Sequence, residues 1–344
     1  MNATRLAQDD LPAHVEPLVR QHLPNAERAT VANWKRADQG FASDTYLFDV
    51  EGLNAAHGHA GFVFRRPPEI ALFPDYDLRR QFLVMKRLAG TDIPVPTVRW
   101  IDIGPNPLGT PYYVMDRIDG GRTPSDIPTY HEAGMYFEAT PEERARIWWS
   151  CVDTMVQVHR LDPTALRMDF LGMPRLGAEP LEQAVNYLDW AVHWANPTPE
   201  PIFERSLDWL RGHRYRPEHV TLCWGDSRLS NVLYADDLSV LGVLDWEIAY
   251  LGDHEADLAW LLLTDWLCSD FQGRVRLPGT PTREETIAGY AARTGWPVRN
   301  LRFNEILCAI LLSVPLLRMS SHLGMGDLSQ VCAARLDQLL TEGS

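Results

Sequence analysis

The feature that most constrains this chain is a run of short apolar segments carrying three oxygen-bearing side chains, TLCWGDSRLSNVLYADDLSVLGVLDWE, residues 221–247. Asp226 lies in a polar turn, Asn231 follows it, and Asp245 ends the last segment. Short apolar runs bounded by turn residues are typical of strands. NVLYADD and VLGVLDW therefore predict a hairpin that brings Asn231 and Asp245 side by side and leaves Asp226 to face a substrate.

These residue types suit phosphoryl transfer. That reaction needs a base to orient a hydroxyl, ligands for Mg²⁺, and cations on the phosphates. Mg²⁺ prefers oxygen ligands, commonly one or two protein groups together with phosphates and water. Asp and Asn are also frequent turn residues, and each of the three taken singly fits that simpler role. Taken together with the order of the segments that precede them in the chain, which are described below, the three residues favour a catalytic role.

Composition limits the possible partners and the compartment. The chain has 344 residues and a net charge of −14, which argues against nucleic acid and an anionic membrane surface as partners. The acidity is compatible with a cationic substrate, although it more often serves solubility. Five scattered cysteines without a CxxC pair predict buried free thiols in a reducing cytoplasm. The N-terminus has acids where a signal peptide would need an apolar core.

The hydrophobic pattern divides the chain into two parts. Residues 10–23 predict a helix, and residues 30–118 predict strand, strand, helix, strand, strand. After Gly121 long helical patterns dominate. The longest apolar run, ILCAILLSVPLL (residues 306–317), is too short to cross a bilayer and therefore predicts a core helix. We therefore expect an α+β fold with a mostly antiparallel β lobe in residues 1–118 and a mostly α lobe in residues 119–344.

The central stretch resembles a known catalytic loop. WGDSRLSN (residues 224–231) followed by LDWE (residues 244–247) is similar to the aminoglycoside-phosphotransferase-type small-molecule kinases of the kinase-like fold. Their loop commonly reads HGDxxxxN, and a strand ending in IDW or LDW follows it. FRRPP, PVP, YYVM and LDWE resemble the kinase domain found fused to certain acyl-CoA dehydrogenases. The resemblance covers roughly residues 30–320 and implies a bilobed, protein-kinase-like fold.

The resemblance also implies roles for residues of the second lobe. Asp226 is the expected catalytic base or hydroxyl orienter, and Arg228 is expected on the γ-phosphate. Asn231 and Asp245 are the expected Mg²⁺ ligands. ATP and Mg²⁺ are thus the implied cofactors.

In the first lobe the resemblance implies a nucleotide site. Its expected members are the phosphate-loop residues, the strand cation with its helix partner, and backbone groups for adenine: Gly40, Ser43, Arg65, Gln81, Met115, Asp116 and Ile118. Arg66, beside Arg65, is open as an alternative cation.

The sequence departs from the family pattern at three positions, and two of them, Trp224 and Gln81, motivate a rival interpretation. Trp224 replaces the usual loop His, the strand cation is Arg65 rather than Lys, and Gln81 stands where a Glu normally pairs with that cation. The rival is a pseudokinase that binds nucleotide without turnover.

The expected acceptor is a small molecule, because a helical pattern begins about ten residues after Asp245 and leaves no room for a peptide platform. Aromatic residues on the helical segment NYLDWAVHWAN are usually core, but related kinases build the acceptor site in this segment. An aromatic site would suit a hydroxyacyl-CoA or another hydrophobic hydroxylated metabolite. An aminoglycoside or macrolide is the alternative, and nothing in the sequence indicates an oligomeric state.

Overall fold

The computed structural model describes residues 5–37, 43–53, 61–323 and 329–341. The chain divides into two compact units. The first unit comprises Met1–Ala71 and Asp75–Gly120, and the second comprises Leu72–Pro74 and Gly121–Ser344. The mixed α+β, kinase-like fold class predicted from the sequence is confirmed, with an antiparallel sheet in the first unit and mostly helices in the second.

A five-stranded antiparallel sheet forms the first unit, in the order β1-β2-β3-β5-β4. Its strands are β1 (Thr30–Arg36), β2 (Asp44–Glu51), β3 (Gly61–Arg66), β4 (Val98–Asp102) and β5 (Tyr112–Asp116). Two helices accompany it, α1 (Leu11–His22) and α2 (Leu78–Leu88). Asp77 begins α2 by accepting a hydrogen bond from the Arg79 N–H, the usual role of an N-cap carboxylate.

Strand β3 is buried on both of its faces. Successive side chains of a strand point to opposite faces. Phe62 and Phe64 belong to the core that α1 closes with Val15 and Val19. Arg65 points to the other face, because it is the next residue along the strand. The central strand is thus apolar on one side and carries a buried cation on the other.

The prediction for residues 30–118 missed strand β1. Its side chains are mostly exposed or half-buried, and the register breaks between Ala32 and Lys35. An edge strand of this kind lacks the clean apolar alternation by which strands are recognised. Strand β1 is extended because it pairs with β2. The local sequence of β1 carries no signal of this pairing.

The second unit contains eight α-helices among its described residues and two small antiparallel strand pairs. The helices are α3 (Gly134–Glu138), α4 (Pro141–His159), α5 (Pro180–Ala195), α6 (Pro201–Gly212), α7 (Glu255–Cys268), α8 (Arg283–Thr294), α9 (Leu301–Leu323) and α10 (Ser329–Thr341). The strand pairs join β6 (Val220–Cys223) to β9 (Tyr250–Asp253), and β7 (Val232–Tyr234) to β8 (Val240–Val243). The short strand β9 was not predicted, because its four residues include Gly252 and run straight into the pattern of α7.

The predicted core helix is longer than its apolar run. Helix α9 continues through Pro315, and Leu301–His322 is long and apolar enough to cross a membrane, with a mean hydropathy of 1.5. However, 72% of its apolar window is buried inside the protein, as in a core helix. The five cysteines are free and buried, as predicted.

Candidate active site

The loop between β6 and β7 carries Asp226, the predicted base. Its side chain is buried, and its Oδ1 accepts a 2.7 Å hydrogen bond from Nε1 of Trp260 on α7. Nε of Arg228 lies 3.0 Å from the same oxygen, at an angle that makes the contact an ion pair rather than a hydrogen bond. The carboxylate is therefore fixed in direction by an indole and a guanidinium.

Burial is the largest influence on the protonation of Asp226 and raises its pKa above the usual value for Asp. The positive charge of Arg228 opposes this shift, whereas the negative charge of Asp245 adds to it. A raised pKa makes a carboxylate a stronger base, which suits proton abstraction from a hydroxyl. The contribution of Asp245 means that its carboxylate lies close enough to Asp226 to interact with it electrostatically.

Arg228 is clamped by a second acid. Its Nη1 donates to Oδ2 of Asp126 at 2.8 Å, and the Ser230 hydroxyl donates to the same oxygen at 2.8 Å. Burial alone would lower the pKa of Arg228, but Asp226 and Asp126 raise it. The guanidinium is therefore charged and oriented beside the Asp226 carboxylate.

The predicted hairpin forms between β7 and β8. Val232 pairs with Val243, and the Leu244 N–H donates to the Asn231 carbonyl at 2.8 Å, one residue before Asp245. Nδ2 of Asn231 donates to the backbone carbonyl of Asp226 at 2.9 Å. The side-chain oxygen of Asn231 therefore points away from this carbonyl. Asp245 has φ of 59°, a left-handed conformation that Asp tolerates better than most residues. The backbone thus brings the three predicted residues into one neighbourhood.

Asp257 on α7 accepts hydrogen bonds from the backbone of the loop that carries Asp226. Its Oδ2 accepts the Trp224 N–H at 2.7 Å and its Oδ1 accepts the Gly225 N–H at 2.8 Å. Nε2 of His159 lies 2.8 Å from Oδ2. Asp257 is therefore a buried, fully engaged carboxylate in the first turn of α7, and its partners lie on other segments of the chain. Trp224, the departure from the usual His, is fully buried and donates from Nε1 to the Leu244 carbonyl.

Gly225 is required by the loop geometry. Its φ is +88°, and a Cβ atom there would lie 2.4 Å from the Ile248 carbonyl oxygen. We expect Gly225→Ala to destabilise the protein by about 1–3 kcal/mol, because both the backbone conformation and the contact become strained. Thermal denaturation tests this. Gly212→Ala is the matched control, since a Cβ there meets nothing within 4 Å; equal midpoints for the two variants would contradict the expectation.

In the first unit, the predicted nucleotide residues form a buried polar group. Arg65 donates from Nε and Nη2 to Oγ of Ser43, at 2.8 and 2.6 Å. Oε1 of Gln81 accepts a 2.8 Å hydrogen bond from Tyr113, which pairs with Arg65 in the sheet register. Gln81 is therefore hydrogen-bonded to β5, the strand that pairs with β3 at Arg65. Gly40 lies outside the described residues.

The alternative cation, Arg66, has other partners on the opposite face of β3. Its guanidinium contacts Asp44 at 3.3 Å and the Leu6 carbonyl at 2.8 Å, and it stacks over the Tyr46 ring. These contacts favour Arg65 as the cation on the face of Gln81.

The predicted adenine-binding segment continues strand β5. The Asp116 carboxylate is held by both Nε and Nη2 of Arg99, and the Asp116 N–H donates to the Thr97 carbonyl. Met115 is buried within the strand, whereas Ile118 follows it and is half-buried. Because its N–H is already used, Asp116 could offer adenine only its carbonyl.

The aromatic residues of α5 are not core residues. Tyr187, Trp190, His193 and Trp194 are half-buried, and the buried face of the helix is aliphatic. The Arg318 guanidinium lies 4.1 Å from the centroid of the Trp194 ring. Of the two interpretations left open by the sequence, core and acceptor site, these half-buried positions do not support core, because small and aliphatic residues at the same helical period fill the buried face.

Two members of the site were not found from the sequence. Asp126 resembles an ordinary turn residue in PSDIP, and Trp260 is hidden in the apolar pattern of α7. No spacing rule links either residue to Asp226, since 100 or 34 positions separate them.

Comparison with known proteins bears on the chemistry of this site. The family model for the phosphotransferase enzyme family matches residues 33–298. Acyl-CoA dehydrogenase family member 10 of Mus musculus is 31% identical over 272 residues, which are 76% of this chain and 24% of that protein. Member 11 of Rattus norvegicus is 27% identical over 314 residues, 86% of this chain and 38% of that protein. The chain thus spans well under half the length of these relatives.

Solved structures share the fold. A putative aminoglycoside phosphotransferase of Ralstonia eutropha has a TM-score of 0.69 at 21% identity, covering 95% of both chains. Ethanolamine kinase of Plasmodium vivax has a TM-score of 0.63 at 14% identity, covering 96% of this chain and 89% of that one. A mutant of aminoglycoside phosphotransferase APH(4)-Ia in complex with ADP and hygromycin B has a TM-score of 0.61 at 16% identity, covering 96% and 99%.

Proposed function

Because the chain belongs to the phosphotransferase enzyme family, we propose that it transfers the γ-phosphoryl group of ATP to a hydroxyl of a small molecule with the help of Mg²⁺. The observation that carries this proposal is the arrangement around Asp226. A buried carboxylate with a raised pKa is aimed by Trp260 and Arg228 and lies beside the Asn231–Asp245 hairpin. The ADP bound in a structural relative supports ATP as the donor.

We assign Asp226 the role of base. Its carboxylate accepts the proton of the acceptor hydroxyl or fixes the direction of that hydroxyl as the oxygen attacks phosphorus. Arg228 offsets the negative charge that spreads over the transferred group. Its clamp by Asp126 and Ser230 supports this role, because a preorganised cation needs no reorientation during the reaction.

The residues present fit a magnesium ion. Asn231 supplies an amide oxygen whose orientation is set by its hydrogen bond to the Asp226 carbonyl. Asp245 supplies a carboxylate, and one or two protein oxygens are what Mg²⁺ usually takes beside phosphates and water. The ion would neutralise charge on the phosphates. We propose Asn231 and Asp245 as its ligands.

In the first unit, we propose that Arg65 binds the α- and β-phosphates and that Ser43 and Gln81 maintain its position. The two hydrogen bonds from Arg65 to Ser43 support this assignment. For adenine we propose backbone groups of Met115, Asp116 and Ile118; the assignment of Gly40 to the phosphates stays a prediction.

For the acceptor, we propose a hydrophobic hydroxylated metabolite such as a hydroxyacyl-CoA. The support is the name of the relatives, acyl-CoA dehydrogenase family members, together with the half-buried aromatic side chains of α5. An aminoglycoside or macrolide is the second candidate, supported by the structural relatives that are aminoglycoside phosphotransferases. A cytoplasmic location is our expectation for either.

A transfer assay tests the proposed function. Incubation with [γ-³²P]ATP, Mg²⁺ and a library of hydroxylated acyl-CoA thioesters, lipids, aminoglycosides and macrolides should yield a labelled phosphate ester. Omitting Mg²⁺ should abolish the label. Binding of Mg·ATP without a labelled product from any hydroxyl compound would instead identify a nucleotide-binding pseudokinase.

The metal assignment has its own prediction. Asp245→Asn should raise the Mg²⁺ concentration needed for half-maximal turnover by about tenfold, because one anionic ligand is lost. A Mg²⁺ titration of the initial rate at fixed ATP measures this. Asp236→Asn is the control, because that carboxylate is 96% exposed. An Mg²⁺ dependence identical to that of the unchanged protein would remove Asp245 from the ligand set.

A further inference from the structure

A buried hydrogen-bonded chain leads away from Asp257, the residue that holds the catalytic loop. Nε2 of His159 on α4 lies 2.8 Å from Oδ2 of Asp257. Nδ1 of His159 lies 2.8 Å from the hydroxyl of Tyr290 on α8, and that hydroxyl lies 2.9 Å from Nδ1 of His254, at the start of α7. All four side chains are at most 3% exposed, so the hydrogen bonds of this chain are made away from bulk solvent.

The donors and acceptors of this chain can be assigned in one consistent direction. The Asp257 carboxylate is an acceptor, so His159 carries its proton on Nε2. With its one proton on Nε2, His159 has an acceptor at Nδ1, and this nitrogen at 2.8 Å is a closer acceptor for the Tyr290 hydroxyl than the His254 carbonyl at 3.4 Å. The Tyr290 oxygen in turn accepts from Nδ1–H of His254.

The electrostatics agree with this order. Burial raises the pKa of Tyr290, so the phenol keeps its proton at neutral pH. Burial lowers the pKa of His254 to about 4, so its imidazole is neutral and carries one N–H.

From these contacts we infer that Tyr290 and His254 are positioning residues for the transfer reaction. They fix the His159 ring and thereby the Asp257 carboxylate. That carboxylate fixes the orientation of the Trp224 and Gly225 N–H groups, which immediately precede Asp226 in the chain. The inference rests on the proposed function for its catalytic consequence. Helix α8 thus acts on the loop through hydrogen bonds rather than by contact with a substrate.

The direct test is Tyr290→Phe, which removes one hydroxyl and keeps the ring. Because a misplaced reacting group costs rate steeply, kcat should fall about tenfold while both KM values stay within about twofold. The Trp224 and Gly225 amides should exchange with D₂O about tenfold faster, as resolved by NMR or by the mass of the loop peptide. Tyr136→Phe is the matched control, since that buried phenol bonds to Thr280 instead.

Two replacements of His254 provide a rescue experiment. The amide nitrogen of Asn can occupy the position of Nδ1, so His254→Asn can keep the hydrogen bond to Tyr290. The amide of Gln reaches the position of Nε2, so His254→Gln loses that bond. We expect His254→Asn to retain slow amide exchange and kcat, and His254→Gln to resemble Tyr290→Phe.

The amide-exchange measurement needs no turnover and therefore separates this inference from the proposed function. Unchanged exchange in Tyr290→Phe would overturn the coupling to the loop, whatever kcat does. Faster exchange with unchanged kcat would overturn the positioning role and leave the chain a purely structural feature. Absence of phosphate transfer by the unchanged protein would count against the proposed function alone.

Discussion

Asp226→Asn is expected to lower kcat by about 10³-fold, because the amide cannot accept the proton of the acceptor hydroxyl. ATP affinity should stay within about twofold, since Asp226 is assigned to the acceptor rather than to the nucleotide. The variant should also fold well. The amide oxygen can still accept from Nε1 of Trp260, and burial, which raises the pKa of Asp226, makes the ionised side chain costly to the folded state at neutral pH.

Steady-state phosphate transfer and calorimetric ATP titration measure the two effects. Asp237→Asn is the control, because Asp237 is an exposed turn residue whose carboxylate accepts from the N–H and the hydroxyl of Ser239, two residues further along the loop. Turnover retained in Asp226→Asn would show that another group takes the proton. A parallel loss of ATP binding would place Asp226 at the nucleotide instead.

Asp257→Ala is expected to have the largest effect on stability. The change leaves the buried N–H groups of Trp224 and Gly225 and the Nε2 of His159 without their acceptor. Each buried donor without a partner costs about 1–3 kcal/mol, so a total loss of about 3–5 kcal/mol is reasonable for a broken buried charged cluster. The thermal midpoint should then fall by about 10 °C for a unit of this size.

Differential scanning calorimetry of the full chain measures this change. Asp208→Ala provides the comparison, because that carboxylate is largely exposed and pairs with Arg211 on the surface of α6, where ion pairs contribute little. A midpoint for Asp257→Ala close to that of Asp208→Ala would mean that the loop does not depend on this carboxylate.

Much of the site could be predicted because it lies in one short stretch. Asp226, Asn231 and Asp245 are close in sequence, and the β7–β8 hairpin that joins the last two is visible in the alternation of apolar and turn residues. Local patterns of this kind encode local geometry. The same is true of α1, α2 and β2–β5, whose apolar residues follow helical or strand periods.

The residues that aim the site were not predictable in the same way. Asp126 and Trp260 contact the catalytic loop from distant segments, and His159 contacts Asp257, which holds that loop. Asp126 is an acid in a turn, His159 is a His on a helix, and Trp260 is one of twelve Trp residues in the chain. Nothing in the local sequence distinguishes them from structural residues of the same type. Their role exists only after the helices have packed.

Strand β1 and the aromatic face of α5 show the same limit in the fold. Strand β1 is an exposed edge, and its partner rather than its own pattern makes it extended. The α5 aromatics have helical spacing, but the aliphatic residues between them take the buried face. Hydrophobic period identifies an element, whereas the choice of face depends on what packs against it.

The most direct test of the proposed chemistry is a crystal structure with Mg²⁺ and a non-hydrolysable ATP analogue. We expect an ion about 2.0–2.1 Å from the amide oxygen of Asn231 and from a carboxylate oxygen of Asp245, with the terminal phosphate near Asp226. An ion and triphosphate bound elsewhere, with the side chains of Asn231 and Asp245 unused, would contradict the assignment of this site.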